Sequence, residues 1–141
     1  MNWLVFSILS AGFAALVAIF AKLGLKSVDS NLVAIVRAVV MALFLLGFGF
    51  LSGKLNNFSF GMLAGKDGVL ILLSGLAGAI SWLFYFLALK TGLASKVSAV
   101  DRLSLVFVIV LSVLFLGEKL TLKTALGAAL MVLGAILVAL K

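Results

Sequence analysis

The sequence predicts an all-α integral membrane protein, a bundle of five transmembrane helices, and three observations carry that expectation. The 141 residues are 66% hydrophobic and 11% charged, with a mean hydropathy of +1.44, whereas an average soluble domain is roughly half apolar and about a quarter charged. The apolar residues fall into five runs long enough to cross a bilayer core of about 30 Å, which takes roughly 20 helical residues. The 11 Lys and Arg and the 4 Asp and Glu lie mostly between those runs, so no segment offers the polar face a soluble helix needs. Runs this long also favour helices over a membrane barrel, whose strands alternate over about ten residues.

The first span runs from about Trp3 to Leu25. Met1-Asn2 supplies no basic leader and the apolar run continues to Ala21 before Lys22, so the segment is expected to stay in the mature protein. The second span runs from about Asn31 to Leu51 and forms a hairpin with the first through the turn at Lys26 to Ser30. A loop with Lys54, Asn56, Asn57, Lys66 and Asp67 follows, in which Phe58, Phe60, Met62 and Leu63 hold the chain near the membrane surface. The third span runs from about Gly68 to Leu89, the fourth from about Ser95 to Leu116, and the fifth from about Leu122 to Leu140, closed by Lys141. No linker or shift in composition divides residues 1–141, which read as a single membrane domain. Proline is absent, so a proline-broken helix is not available. Lys22-Leu23-Gly24-Leu25 after the first span is echoed by Lys90-Thr91-Gly92-Leu93 after the third, as two related hairpins followed by a single helix would give.

The net charge of +7 is spread singly along the chain and forms no basic stripe, which argues against nucleic-acid binding and for helix ends that meet lipid headgroups. With no Cys and no His, disulfides, thiolate or imidazole metal sites and Cys or His catalysis are excluded. Neither a cofactor nor a metal is expected, and an enzyme is the least expected class. With five spans, Lys54, Lys66, Lys119 and Lys123 share one side, and Lys22, Lys26, Lys90, Lys96 and Lys141 the other. So small a bias fixes no orientation. Either the C-terminus is weakly favoured in the cytoplasm, or the chain inserts both ways and pairs as an antiparallel homodimer, an inverted repeat made from two copies.

Ionisable residues inside spans are the candidates for function, because they cost several kcal/mol near the bilayer centre. Arg37 lies six residues into the second span and Asp101 six into the fourth, about 9 Å inside the boundary. Topology gathers both into one layer with Lys22 and Arg102, and puts Tyr85 and Trp82 of the third span in reach of it. Trp82, Tyr85 and Phe86 share a helix face by their three- and four-residue spacing. The functional reading is a vestibule with an aromatic wall, a carboxylate at Asp101 to carry a proton or pair a cation, and Arg37 to grip a carboxylate. The structural alternative is an ion pair of Asp101 with Arg37 or Arg102, with the aromatics in the interfacial belt and Lys22 snorkelling from a helix end. Trp3 is read as an interfacial anchor. Glu118 and Lys119 occupy a turn that Gly117 permits. Gly75 with Ala79, Ala11 with Ala15, Ala14 with Ala18, and Gly127 with Gly134 mark small-residue faces for helix contacts, within the chain or with another.

The segment Ala94 to Leu140 closely resembles the EamA-like transporters of the drug/metabolite transporter superfamily. The resemblance rests on Asp101-Arg102-Leu103-Ser104 opening a helix and Leu116-Gly117-Glu118 forming a turn. Ala21 to Leu25 and the Arg37 helix extend it over the whole chain. It implies one five-helix half where typical members have two, and hence self-pairing or pairing with another half. It also implies transport of amino acids, metabolites or drugs, and Asp101, Arg102 and Ser104 stand among the candidate substrate- or ion-binding residues. Relatives often carry Pro where this chain has Ala99, so the resemblance does not extend to the helix irregularity that goes with it. The seven-residue spacing of Gly127 and Gly134 resembles the dimer seam of the four-helix multidrug members. Their proton-coupled Glu in the first helix has no counterpart here.

The reading is therefore a transporter of a small polar or amphipathic metabolite, working by alternating access as a dimer in the cell (inner) membrane. Its partners would be lipid, a second copy and a small-molecule substrate. A non-transporting membrane scaffold or accessory subunit, or a flippase for a lipid-linked substrate, are the alternatives. Because the chain has no Cys, single Cys residues introduced near Ser27 and near Asn57 report orientation. Labelling of both from outside intact cells is expected for the antiparallel dimer, and labelling of only one rejects it.

Overall fold

A computed structural model describes residues 2–59, 61 and 65–140. It contains α1 (Asn2–Gly24), α2 (Ser30–Leu51), a 3-10 turn (Lys54–Asn57), α3 (Lys66–Thr91), α4 (Ala94–Asp101), α5 (Ser104–Leu111), a π turn (Ser112–Leu116) and α6 (Leu122–Ala139). No strand occurs among the described residues. Five helical stretches have the length and hydropathy to cross a membrane: Trp3–Gly24, Ser30–Leu51, Lys66–Thr91, Ala94–Leu116 and Leu122–Ala139. These match the expected spans except in the third, which is extended at both ends. Lys66 and Asp67 join its first turn rather than the preceding loop, where the Asp67 carboxylate complements the positive end of the helix dipole. Phe60, Met62, Leu63 and Lys141, which the sequence places at the membrane surface and the chain end, lie outside the described residues.

The helices sort into two compact units, one of Met1–Lys22 with Thr91–Lys141 and one of Leu23–Lys90. In the first, α4 lies along α6. Ala125, Ala128, Val132, Ala135 and Ala139 of α6 are its buried or half-buried positions, and their alternating three- and four-residue spacing makes one helix face. Ala94, Ser98 and Ala99 of α4 are half-buried too, and such small side chains let two backbones approach closely in lipid. The second unit holds Phe86 and Leu89, near the end of α3, the two large side chains that are fully buried among the described residues. Leu55 of the 3-10 turn folds back over Gly49 of α2, where a Cβ would come within 3.2 Å of it.

Helix ends are closed by named groups. The Asp29 carboxylate caps α2, accepting from Asn31 N–H at 2.9 Å and Leu32 N–H at 3.3 Å, and Thr121 Oγ1 caps α6 by accepting from Thr124 N–H at 3.1 Å. Gly117, with φ 68°, stops the π turn in the left-handed region that costs other residues about 1–2 kcal/mol, as the sequence suggested. The carboxyl ends of helices are met by lysines: Lys22 Nζ donates to the Gly92 carbonyl at 2.7 Å, and Lys96 Nζ to those of Ala139 at 3.0 Å and Leu140 at 3.4 Å. Lys90 Nζ donates to the Val28 carbonyl at 3.3 Å and stands 4.0 Å from the Asp29 carboxylate. The two lysines of the sequence echo, Lys22 and Lys90, therefore act alike, each tying a helix end to the carbonyl of a turn.

The fourth span is interrupted although it has no proline. Leu103 N–H reaches Val100 O at 2.9 Å, Leu105 N–H reaches Arg102 O at 3.1 Å and Val106 N–H reaches Leu103 O at 2.9 Å. This tight three-residue bonding separates α4 from α5.

Two backbone N–H bonds and the nearby Lys90 hold the Asp29 carboxyl below its ordinary range. A carboxylate stabilised in the folded state strengthens the fold fully above its unfolded pKa, about 3.9, and ceases to do so as pH falls through the lower folded value. Asp29→Ala should accordingly lower the thermal midpoint at pH 7, with the deficit shrinking below pH of about 4. Scanning calorimetry of both chains across that range is the check.

Candidate functional site

Arg37 projects from the second turn of α2, seven residues past Ser30 and about 10 Å along the helix axis. Its guanidinium carbon stands 3.6 Å from the centroid of the Trp82 ring and 5.7 Å from that of Phe86, a cation–π stack worth about 0.5–2 kcal/mol. The aromatic face of α3 forms as the spacing predicts. Trp82 meets Tyr85 edge to face at 5.5 Å and 81°, and Phe86 at 5.5 Å, while Tyr85 meets Phe86 at 6.1 Å. Phe86 is fully buried, whereas Trp82, Tyr85 and Arg37 are half-buried.

Arg37 and Trp82 stand at the edge of a cleft between α2 and α3 of about 440 Å³. Ala34, Ala38 and Met41 line it from α2, and Ser74, Gly75, Gly78 and Ala79 from α3. Arg37 is the charged member of that lining, and Ser74 supplies a hydroxyl. Among the described residues the guanidinium makes no hydrogen bond and no ion pair, although a charge at the bilayer centre costs about 2.5–3.5 kcal/mol or more. The stack on Trp82 offsets part of that cost and leaves the N–H edge of the planar group unoccupied. The structure thus gathers Arg37, Trp82, Tyr85, Gly75 and Ala79. Gly75 faces open space rather than a helix, since a Cβ there would meet nothing within 4 Å.

The other candidates lie in the unit that contains α1 and α4 to α6. Asp101 ends α4 and Ser104 begins α5, on either side of the break, and both are exposed. Among the described residues of its own unit the Asp101 carboxylate has no ion pair, with Arg102 or with another residue. Arg102 instead borders a second recess of about 420 Å³, against Ser7, Ser10, Ala11 and Ala14 of α1. Half-buried Lys22 is bound to the Gly92 carbonyl. Gly127 and Gly134 each precede by one residue the α6 positions turned to α4, so they lie about 100° around the helix from that contact. Added Cβ atoms there would meet nothing within 4 Å. Sequence reading missed Ser74, Gly78, Ala34, Ala38 and Met41. Their signal was periodicity, since they lie three, four or eight residues from Arg37 or Trp82 along the same helices or beside those positions.

Residues 1–140 match the EamA-like transporter family. The chain belongs to the EamA-like transporter family. It is 41% identical over 138 residues, 98% of this chain and 96% of the other, to a protein of Sinorhizobium sp named "Uncharacterized transporter in cobO 3'region". No solved structure matches it. Family and helices together make this EamA-like chain a multi-pass membrane protein of a transporter class rather than an enzyme class.

The stack of Arg37 on Trp82 has a direct optical signature, because the chain has only 2 Trp. In a Trp3→Phe background, Arg37→Met should shift and brighten the emission of Trp82 by removing the cation from its face. An unchanged spectrum would show that the two side chains are apart in the membrane.

Proposed function

We propose that this chain moves a small polar or amphipathic metabolite across the cell (inner) membrane by alternating access, as a homodimer in which each copy contributes one five-helix half. The observation that supports this most is the α2–α3 cleft, a recess of ligand size with a cation and an aromatic wall in an otherwise apolar span. Asp101, in the unit that holds α4 to α6, is the coupling or substrate-pairing carboxylate; in the unit of Leu23–Lys90, Arg37 supplies the counter-charge for the substrate and Trp82 and Tyr85 line its path. An acid with no ion pair among the described residues of its unit, beside a helix break, supports that role for Asp101, because acids within spans mark proton and ion routes. Ser104 and Arg102 flank the same break. Lys22 serves as a tie between helix ends. Gly127 and Gly134, turned away from the α4 contact, are the notches offered to the second copy, and an antiparallel arrangement would give the inverted repeat that alternating access uses.

The test is flux into proteoliposomes of the purified chain, using a panel of radiolabelled amino acids, carboxylates and amines. At least one compound should exchange, and Asp101→Asn should reduce that exchange at least tenfold while the crosslinked dimer and its thermal midpoint persist. Unchanged exchange removes the coupling role of Asp101. Absence of exchange for the whole panel, with Asp101→Asn lowering only the thermal midpoint, favours a scaffold.

A further inference from the structure

We infer that the α2–α3 cleft selects small organic anions, with a planar apolar body lying along the small-residue wall and a carboxylate, or an equivalent planar anion, on the free edge of Arg37. This rests on the reading of the cleft as a substrate path and adds the chemical class of what enters it.

Charge complementarity is the first argument. The unit of Leu23–Lys90 contains two acids, Asp29 and Asp67. Asp29 is spent capping α2 and stands beside Lys90. Asp67 lies in the first turn of α3, fifteen residues before Trp82 and so about 22 Å away along the axis. Neither is available to Arg37, whose donors make no hydrogen bond among the described residues. Trp82 covers one face of the guanidinium at 3.6 Å, and stacking leaves the five in-plane N–H donors pointing outward, in the fork that matches a carboxylate.

Shape and polarity supply the rest. A cleft of about 440 Å³ has room for a single-ring acid. Gly75 and Gly78 leave that room, since a Cβ at either would meet nothing within 4 Å. Apart from Arg37, Ser74 and the indole of Trp82, the lining side chains offer no polar group. A ligand with many hydroxyls would leave most of them unpaired there, and a cation would be repelled by Arg37. One anionic head on an apolar body satisfies both demands.

Equilibrium dialysis of radiolabelled benzoate against the full chain in lipid nanodiscs, with empty nanodiscs as the blank, tests this. Saturable binding is expected, displaced by phenylacetate and at least tenfold less well by benzamide and benzylamine. Arg37→Gln should weaken benzoate binding at least tenfold. Gly75→Leu, which keeps the charge and fills the cleft, should do the same. No saturable binding to the unaltered chain, or equal displacement by benzamide, overturns the inference, as does full binding by either variant. Binding without proteoliposome flux would keep the anion site and remove the transport reading. Flux of amines without benzoate binding would do the reverse.

Discussion

Inside a bilayer a main-chain N–H or C=O has no water to turn to, and leaving one unmade costs several kcal/mol. Helices meet this demand along their length and fail to meet it at their ends, where four donors and four acceptors remain. The side-chain chemistry of this chain outside its cleft goes largely to those ends. Asp29 and Thr121 take the donors of α2 and α6, and Lys22, Lys90 and Lys96 supply donors to exposed carbonyls. Four of the five are charged residues that a reading of polar sequence for substrate contacts would otherwise claim.

Once the ends are accounted for, the remaining charges stand out. Among the described residues Arg37 is neither a cap nor half of an ion pair, and its guanidinium lies over the Trp82 ring. Asp101 sits where helical bonding tightens between α4 and α5, with no cation attached to it among the described residues of its own unit. These are the residues whose presence in an apolar span needs a reason beyond main-chain bonding, and they are the residues on which the transport proposal is built.

The fold was legible because lipid enforces a simple code: run length located all five spans, and their ends differed by more than one residue only at Lys66 and Asp67 and at Lys90 and Thr91, where polar residues continue a helix. The aromatic cluster was legible from the spacing of Trp82, Tyr85 and Phe86. The cleft was not, because its walls are Ala and Gly, which carry no pattern distinct from helix packing until the neighbouring helix is seen to leave space. The break after Asp101 was also hidden. No proline marks it, and it consists of a shift in backbone partners that side-chain identity does not record. The bond of Lys22 to the Gly92 carbonyl was not legible either, because depth alone does not tell a carbonyl partner in the same chain from a solute.

The lysine ties have an uneven genetic exposure. Their acceptors are main-chain carbonyls of Val28, Gly92, Ala139 and Leu140, atoms that every amino acid carries, so substitutions at those four positions leave the acceptor in place. Only the donor end can be deleted by a codon change. A codon change at an acceptor position therefore keeps the carbonyl, whereas one at Lys22, Lys90 or Lys96 removes the donor, and arginine is a poor replacement because its flat fork suits paired oxygens rather than a lone carbonyl. Half of each fastening is insured by the polymer itself.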